Sequence, residues 1–333
     1  MKKYYWILLL LIFSTSNFQS VWAKSGKLYV VTRSTKKFRL NSRGNPTVGL
    51  FSTDNKGKTW KHYGWKDTKC FSVSTAKIGM EQIFYLSCGN GVQKSEDGGK
   101  SWIITTGWNI TECLKTAIDP QNPNIVYAAT AYGIFKTIDG GKTWIEKNKG
   151  LISTFTPTVV IDQNDSNLLF CATESGVHRS NNAGELWEPI GLLGLGIRTL
   201  IQHSKDLNIL AVGTEDNGVF ISEDHGKTWL QKINGMTNKT IYALTFAPQD
   251  QNIIYAGTFR SGIFKSTDRG KSWQAKNNGL RILDIHALLV DPKNINTVYA
   301  GTLNDGIWIS EDAGESWQFI GLETSQVWDM IIW

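Results

Sequence analysis

A short string recurs seven times along the chain and limits its fold more than anything else in the sequence. Most copies have the form Ser/Thr-x-Asp-x-Gly-x-Ser/Thr-Trp, and the tryptophans lie 42 to 44 residues apart. A fixed period of this length is typical of arrays in which each supersecondary unit buries its apolar face against the next one. The closing residues of the strings are Trp60, Trp102, Trp144, Trp187, Trp229, Trp273 and Trp317.

Each period contains four short apolar segments separated by turn residues. In the last full period, residues 285–290, 297–302 and 307–310 lead into the string, and residues 317–320 leave it. Runs of β-branched and aromatic residues bounded by Asn, Asp, Gly and Pro predict strands joined by hairpins. Four antiparallel strands per period make one propeller blade. We therefore expect an all-β fold, a seven-bladed β-propeller of four-stranded antiparallel blades.

The two ends of the chain are expected to share one blade. Residues 27–32, 47–52 and 60–63 give three strands that lack a first strand, whereas residues 327–333 give a first strand with no blade after it. Pairing the C-terminal strand with the N-terminal blade closes the ring and removes two exposed sheet edges. We expect one domain over residues 24–333 and a monomer.

The string itself predicts a structural turn between the third and fourth strands of each blade. Its aspartate can accept hydrogen bonds from backbone N–H groups of the turn, its glycine supplies a positive φ, and its tryptophan folds back between sheets. Because Asn182 replaces the aspartate and Leu186 replaces the hydroxyl residue, the fourth box should be the weakest. The predicted box aspartates are Asp54, Asp97, Asp139, Asp224, Asp268 and Asp312.

The first 23 residues predict a secretory signal peptide. Lys2 and Lys3 precede an apolar run at residues 4–13, and Val21 and Ala23 suit a cleavage site after Ala23. The apolar run is about half of the ~20 residues needed to cross a bilayer. We expect a secreted or periplasmic protein with no transmembrane segment after cleavage.

Composition and charge exclude several classes of protein. The chain is 41% hydrophobic and 19% charged with a formal net charge of +6, which is ordinary for a globular protein and argues against disorder. Nucleic-acid binding needs clustered Lys and Arg and is not expected. The five histidines show no paired spacing, so we expect no metal and no cofactor.

The recurring string is the Asp box, also called the BNR repeat, and the whole mature chain resembles seven-bladed Asp-box propellers. The phrases GIFKSTDRGKSW at 262–273 and DPKNINTVYAGT at 291–302 resemble most the repeats of sortilin-type and xyloglucanase-like propellers. They are more distantly similar to repeats of photosystem II assembly factors and sialidases. Enzymes, receptors and assembly factors share the box, so the resemblance implies the fold and leaves the function open.

The motifs of the enzymes in this superfamily are missing. Sialidases bind a carboxylate through three arginines, the first in a Phe/Tyr-Arg-Ile-Pro string, and the nearest string here, at 38–41, lacks the Ile-Pro. Xyloglucanase-like enzymes place two catalytic aspartates between two propellers, whereas one propeller fills this chain. Hydrolysis needs two carboxyls about 5 to 10 Å apart. Asp216 and Asp305 are the candidates to test, and a glycoside hydrolase stays the alternative function.

Loops that join second to third strands, and loops that join blades, share one face of a propeller, opposite the boxes. Binding residues of a rigid scaffold are usually on such loops. We predict that one register of the inner strands meets at the channel mouth: Ser72, Leu114, Pro157, Arg198, Tyr242, His286 and Trp328. The rim around it should carry Trp65, Trp108, Tyr132, Glu215, Asp216, Phe259, Arg260, Arg281 and Asp305. These side chains either bind a ligand or only fill the mouth.

One loop, at residues 33–46, departs from the repeat length. Other blades use four or five residues there, whereas this loop has five basic residues and no acidic one. It is either a solvated excursion or a recognition loop for an anionic partner at the same rim as Arg198, Arg260 and Arg281. The basic residues are Arg33, Lys36, Lys37, Arg39 and Arg43.

Four cysteines in an exported chain predict disulfide pairing. Cys70 starts one strand and Cys88 ends the next, and a turn between residues 76 and 83 makes the two face each other within one residue. Cys70 with Cys88 is our first choice. Cys113 competes for either partner, and Cys171 is expected to be a buried thiol, so three connectivities remain open.

Together these features predict an exported, non-catalytic binding or assembly module. Its loop-rich face would bind a protein or carbohydrate partner, anionic if the basic loop takes part. The alternatives are a glycoside hydrolase of the xyloglucanase-like or sialidase-like kind and, from resemblance alone, an assembly factor for an extracytoplasmic membrane complex.

Overall fold

A computed structural model describes residues 26–34, 47–66 and 68–333 of the chain. Within these residues, 28 strands form seven four-stranded antiparallel sheets, which confirms the predicted seven-bladed propeller. No helix in the described ranges has the length and apolar character needed to cross a membrane. The predicted signal peptide lies outside the described residues and stays a prediction.

The first strand of each sheet is the innermost one, and successive first strands contact one another around the ring. From blade 2 to blade 7 and then blade 1, these strands are β4 (Cys70–Ile78), β8 (Cys113–Ile118), β12 (Thr158–Ile161), β16 (Ile197–Gln202), β20 (Ile241–Ala247), β24 (Ile285–Asp291) and β28 (Ser325–Ile332).

The other strands of each blade follow outward in chain order. The second strands are β1 (Leu28–Ser34), β5 (Glu81–Cys88), β9 (Val126–Thr130), β13 (Leu169–Thr173), β17 (Leu210–Thr214), β21 (Asp250–Thr258) and β25 (Asn294–Thr302). The third strands are β2 (Gly49–Thr53), β6 (Gly91–Ser95), β10 (Gly133–Thr137), β14 (Gly176–Ser180), β18 (Val219–Ser222), β22 (Ile263–Ser266) and β26 (Ile307–Ser310). The outermost strands are β3 (Lys61–Tyr63), β7 (Ile103–Ile104), β11 (Ile145–Glu146), β15 (Glu188–Gly191), β19 (Leu230–Lys232), β23 (Gln274–Ala275) and β27 (Gln318–Gly321).

The last strand closes the ring as predicted. β28 pairs antiparallel with β1 and places Met330 opposite Val30. Lys27 N donates to Trp333 O at 2.8 Å, and Trp333 N donates back to Lys27 O at 3.0 Å. The first blade is therefore built from both ends of the chain, and β1 is paired on both sides.

The box tryptophans join neighbouring blades. Trp187, Trp273 and Trp317 are at most 3% exposed and pack in the apolar layers between sheets. Each indole N–H donates to a backbone carbonyl of the preceding blade, as Trp273 Nε1 does to Lys232 O at 3.1 Å. A buried indole needs such an acceptor, so one side chain both fills the layer and fixes the position of the next blade.

The turns that contain the recurring string have the hydrogen bonds that the sequence predicts. In blade 6, Asp268 Oδ1 accepts from Ser266 Oγ at 2.7 Å and from Ser272 N at 2.9 Å, and Oδ2 accepts from Ser272 Oγ at 2.6 Å. These bonds favour the ionised carboxylate and lower the pKa of Asp268 to about 2. Two successive residues then have positive φ, Arg269 at 57° and Gly270 at 77°, of which the sequence predicts the glycine.

Two boxes depart from this pattern. In blade 1 the prediction of Asp54 is wrong: Asn55 Oδ1 accepts from Thr59 N at 3.0 Å, and the string starts at Thr53. Asp54 is exposed. In blade 4, Asn182 Oδ1 accepts from Leu186 N at 2.9 Å, but a leucine has no hydroxyl, so the bond corresponding to Ser272 Oγ with Asp268 is lost there.

Candidate functional site: the mouth of the channel

Six of the seven inner strands contain a β-bulge near the end where the blade-joining loops lie. A bulge inserts one unpaired residue and turns its side chain away from the regular alternation of the strand. The fourth blade has no such bulge, and its strand begins directly after Pro157. The inserted residues are Phe71, Leu114, Arg198, Tyr242, His286 and Trp328.

These residues line one cavity of about 730 Å³, together with Pro157 and Phe155. The seven residues predicted for the mouth all line this cavity, and Phe71, the inserted residue of blade 2, lines it beside Ser72. Ser72 is only 1% exposed, and its hydroxyl donates to Ser87 Oγ at 3.0 Å. The inserted residue of the bulge shifts the register by one, which a simple alternation of strand residues does not reveal.

An unbroken row of rings follows one side of the mouth. Phe71 meets Trp328 edge to face, with ring centroids 5.4 Å apart. Trp328 lies 5.3 Å from His286, and His286 lies 4.3 Å from Tyr242. Phe259, from a rim loop of blade 6, extends the row at 5.9 Å from Tyr242. The row thus crosses four neighbouring blades.

Guanidinium groups lie over the faces of these rings. Arg33 Cζ is 4.4 Å from the centroid of Phe71 and 4.8 Å from that of Trp328. Arg198 Cζ is 5.8 Å from Tyr242, and Arg260 Cζ is 4.5 Å from Phe259. Cation–π contacts of this kind hold arginines in place beside the rings, and Arg198 is also paired with Glu215.

Two buried nitrogens at the mouth have no hydrogen-bond partner among the described residues. They are Nε2 of His286 and Nε1 of Trp328. Burial, with added repulsion from Arg198 and Arg33, lowers the pKa of His286 to about 4, so its ring is neutral near pH 7. A buried polar atom without a partner costs free energy.

An ion pair connects the inner strands beside the row. Lys115 Nζ lies 2.9 Å from Asp329 Oδ2, which also accepts from Val73 N at 3.1 Å. Lys115 belongs to blade 3, Val73 to blade 2 and Asp329 to blade 1. The ion pair and the hydrogen bond therefore connect three blades. Lys115 and Asp329 directly follow the inserted residues of their strands, and Val73 lies two residues after the inserted residue of its strand.

Two groups can be distinguished among the predicted rim residues. Trp65, Trp108 and Tyr132 lie on loops of blades 1 to 3 and are 43%, 101% and 57% exposed. Arg281 forms two bonds to Asp305, at 3.1 and 3.0 Å, and its guanidinium also lies over Trp308 and Phe319. The first group is exposed to solvent, whereas Arg281 and Asp305 neutralise each other.

The candidate catalytic aspartates, Asp216 and Asp305, are not among the residues that line the cavity. Asp305 forms an ion pair with Arg281. Asp216 lies in an exposed turn of blade 5. Glu215, which does line the cavity, forms an ion pair with Arg198. Among the described residues, no group of three or more His, Cys, Asp or Glu side chains is arranged to hold a metal ion.

Of the predicted basic loop, Arg33 is described and belongs to the mouth. Lys36, Lys37, Arg39 and Arg43 lie outside the described residues. Sequence reasoning missed Phe71 at the mouth and the pairing of Lys115 with Asp329. The signal that could have found Phe71 is its position directly after Cys70, equivalent to that of Leu114 after Cys113.

The fold and its mouth define the class of protein: a seven-bladed β-propeller whose inner strands present a ring-lined cavity at the loop-rich end. No family model matches the sequence, and no curated protein is similar to it in sequence.

Solved structures are similar to it in fold. The GH74 xyloglucanase from Xanthomonas campestris has a TM-score of 0.67 and 16% identity, over 90% of this chain and 53% of that chain. The extracellular domain of the putative hybrid two component system BT4673 from B. thetaiotaomicron has a TM-score of 0.64 and 16% identity, over 87% of this chain and 39% of that chain. YCF48 bound to D1 peptide has a TM-score of 0.60 and 16% identity, over 75% of this chain and 81% of that chain. The chain spans about half of the xyloglucanase, and at these identities the likeness shows the fold alone.

Proposed function

We propose that this chain is an exported, non-catalytic binding propeller of the Asp-box kind, and that its channel mouth binds an acidic segment of a partner protein. The observation that carries the proposal is the ring row from Phe71 to Phe259, with guanidinium groups over its faces and a cavity of about 730 Å³ in front of it.

Arginines beside the ring row can pair with an anionic ligand, which at Arg198 would replace Glu215. Arg33 and Arg198 lie near the two ends of the set Trp328, His286 and Tyr242. A carboxylate can accept hydrogen bonds from a guanidinium, and such charge-assisted bonds are stronger than neutral ones.

The shape of the mouth favours a short segment of a protein chain. A cavity of this volume is within the usual range for bound ligands, about 300 to 1,000 Å³. The ring row offers apolar faces for side chains, while the arginines offer partners for carboxylates. A propeller of similar fold, YCF48, has been solved bound to D1 peptide, which supports a peptide as the kind of ligand this architecture can hold. In an assembly role, the mouth would bind an acidic segment of a subunit of a membrane complex.

Glycoside hydrolysis fits the mouth less well. Hydrolysis needs two carboxyls about 5 to 10 Å apart at the substrate, and neither Asp216 nor Asp305 lines the cavity. Glu215, Asp305 and Asp329 are each paired with Arg or Lys. The fold shared with the xyloglucanase does not itself imply its chemistry.

The proposal is tested by peptide binding. A fluorescent, end-capped peptide of alternating Glu and Phe is titrated with the protein, and a matched Lys and Phe peptide serves as the charge control. We expect the acidic peptide alone to bind, and Arg198→Gln and Trp328→Ala to weaken it about tenfold or more, the equivalent of ~1.4 kcal/mol. Lys142→Gln removes the same charge from the exposed box face of blade 3 and should change nothing. Equal binding of both peptides, or of all variants, would refute the proposal.

The exported location is tested separately. The intact mass of the protein recovered from the native host should correspond to a chain that starts at Lys24, as cleavage after Ala23 requires. A mass that includes Met1 through Ala23 would show that the leader is retained.

A further inference from the structure

We propose that Cys70 and Cys88 form a disulfide bond that fixes the bulge carrying Phe71 at the channel mouth. The inference does not depend on what the mouth binds. Cys70 and Cys88 are direct cross-strand partners in β4 and β5. In the structure they are free thiols with sulfurs 2.9 Å apart, and they are 1% and 0% exposed.

The backbone around the pair suits a disulfide. Gly89 N donates to Lys69 O at 2.9 Å, so this hydrogen bond lies one residue outside the cysteine pair on both strands. Such a flanking bond marks Cys70 and Cys88 as a non-hydrogen-bonded pair, the type in which opposite Cα atoms approach to about 4.5 Å. Disulfides span Cα separations of about 4.4 to 6.8 Å, so the strands need not move.

The other two cysteines are placed differently. Cys113 starts the inner strand of blade 3 and packs with Ile83 and Val92, and burial raises its pKa to about 12. Cys171 lies in blade 4 opposite Val159 and His178, and it is fully buried. Among the described thiols, Cys70 and Cys88 are the two whose sulfur atoms touch.

The bond must form while the chain folds. Burial raises the pKa of Cys88, and the thiolate is the form that attacks a disulfide, so the buried pair reacts slowly. Oxidation breaks two S–H bonds and makes one S–S bond. Two protons go to solvent, and two electrons reduce the disulfide of an external dithiol oxidase, the class of co-reactant that oxidising compartments supply.

The position of the pair gives the bond a role at the mouth. Phe71, the inserted residue of the bulge, directly follows Cys70. It meets the edge of Trp328 and lies under Arg33. Linking Cys70 to β5 fixes the residue on one side of the bulge, so the Phe71 ring is held at the start of the ring row.

Alkylation in denaturant tests the bond. Protein purified without reductant is unfolded and treated with iodoacetamide before and after reduction, and masses are compared. We expect two labelled cysteines before reduction and four after it, with a tryptic link between the Cys70 and Cys88 peptides. Four labels before reduction, or a link that contains Cys113 or Cys171, would overturn the proposal.

Variants test the role at the mouth. The pair of substitutions Cys70→Ser and Cys88→Ser should lower the Tm by about 5 °C and speed amide exchange at Phe71 and Ser72 about tenfold. Exchange around Arg198 in β16 should stay unchanged. Cys171→Ser is the control for removal of a buried thiol, and it should leave exchange at Phe71 unaltered. If the folded double variant protects Phe71 as well as the wild-type chain does, the bond does not fix the bulge. Reducing the wild-type protein gives a second route to the same comparison if the double variant fails to fold.

Discussion

His286 and Tyr242 lie with their ring centroids 4.3 Å apart and their planes inclined by 38°, each being the inserted residue of a bulge in the inner strand of its own blade. The same irregularity, repeated at equivalent positions of neighbouring sheets, aims both side chains into one cavity. The mouth is therefore built by a repeated backbone feature whose side chains differ from blade to blade.

The pKa of His286 reports the charge at the mouth, because Arg198 and Arg33 both help to lower it. An NMR titration should give a pKa of about 4, and Arg198→Gln should raise it because one repelling cation is removed. An acidic ligand should raise it as well, so the ligand binds more tightly as the pH falls from 7 to 5. Asp305→Asn, at the Arg281 pair, is the control and should leave the titration unchanged. A pKa near the ordinary histidine value of about 6.5 in the free protein would contradict this description of the mouth.

The Lys115–Asp329 pair should stabilise the ring. Asp329→Ala removes the acceptor of Lys115 Nζ and of Val73 N, and we expect the free energy of unfolding in urea to fall by about 2 kcal/mol, as is usual for hydrogen bonds to a charged group. The exposed Asp216→Ala should change it by less than about 0.5 kcal/mol. Equal effects of the two substitutions would mean that the pair does not tie the blades together.

A box residue with positive φ offers a stabilising substitution. Ala313 has φ of 58°, in the left-handed region where a Cβ costs about 1 to 2 kcal/mol. Ala313→Gly should therefore raise the free energy of unfolding by about 1 kcal/mol after the added chain entropy is subtracted. Ala275→Gly, in the exposed edge strand β23, should lower it slightly. Denaturant titration of both variants is the check, and a loss of stability in Ala313→Gly would be inconsistent with strain at that turn.

The boxes should make the propeller sensitive to acid. Hydrogen bonds from hydroxyl and backbone groups lower the pKa of Asp224, Asp268 and Asp312 to about 2, against about 3.9 in an unfolded chain. Because the folded value is depressed, the stability they contribute is complete above pH ~4 and is lost as the pH falls toward 2.

Unfolding measured at several pH values between 5 and 2 checks this behaviour. Asp268→Asn should make the loss of stability over that interval shallower, whereas Asp216→Asn should not alter it. A free energy of unfolding that stays constant from pH 4 to pH 2 would show that the boxes do not bind protons on unfolding.

Much of the fold could be predicted because the boxes repeat. A turn that ends in a buried tryptophan fixes one hairpin per blade, and the unequal chain ends then require a shared first blade, as β28 and β1 show. The facing of Cys70 and Cys88 also followed from the position of one hairpin turn. These features depend on local sequence, which a single chain reveals.

The errors came from features that local sequence does not contain. The prediction of Ser72 at the mouth left out Phe71, the residue that the bulge inserts before it. The box of blade 1 was read from Asp54 because the string contains both Asp54 and Asn55, and only the hydrogen bonds distinguish them. The pair Lys115–Asp329 joins residues 214 positions apart, and no pattern in the sequence links them.

The most direct test of the mouth as the binding surface is site-specific photocrosslinking in an extract of the native cell envelope. A benzophenone amino acid replaces Tyr242 at the mouth in one variant and Lys142 on the box face in another. We predict a crosslinked product from position 242 that an excess of the acidic peptide removes, and none from position 142. Crosslinks from position 142 alone, or a product at position 242 that the acidic peptide does not displace, would contradict the proposal.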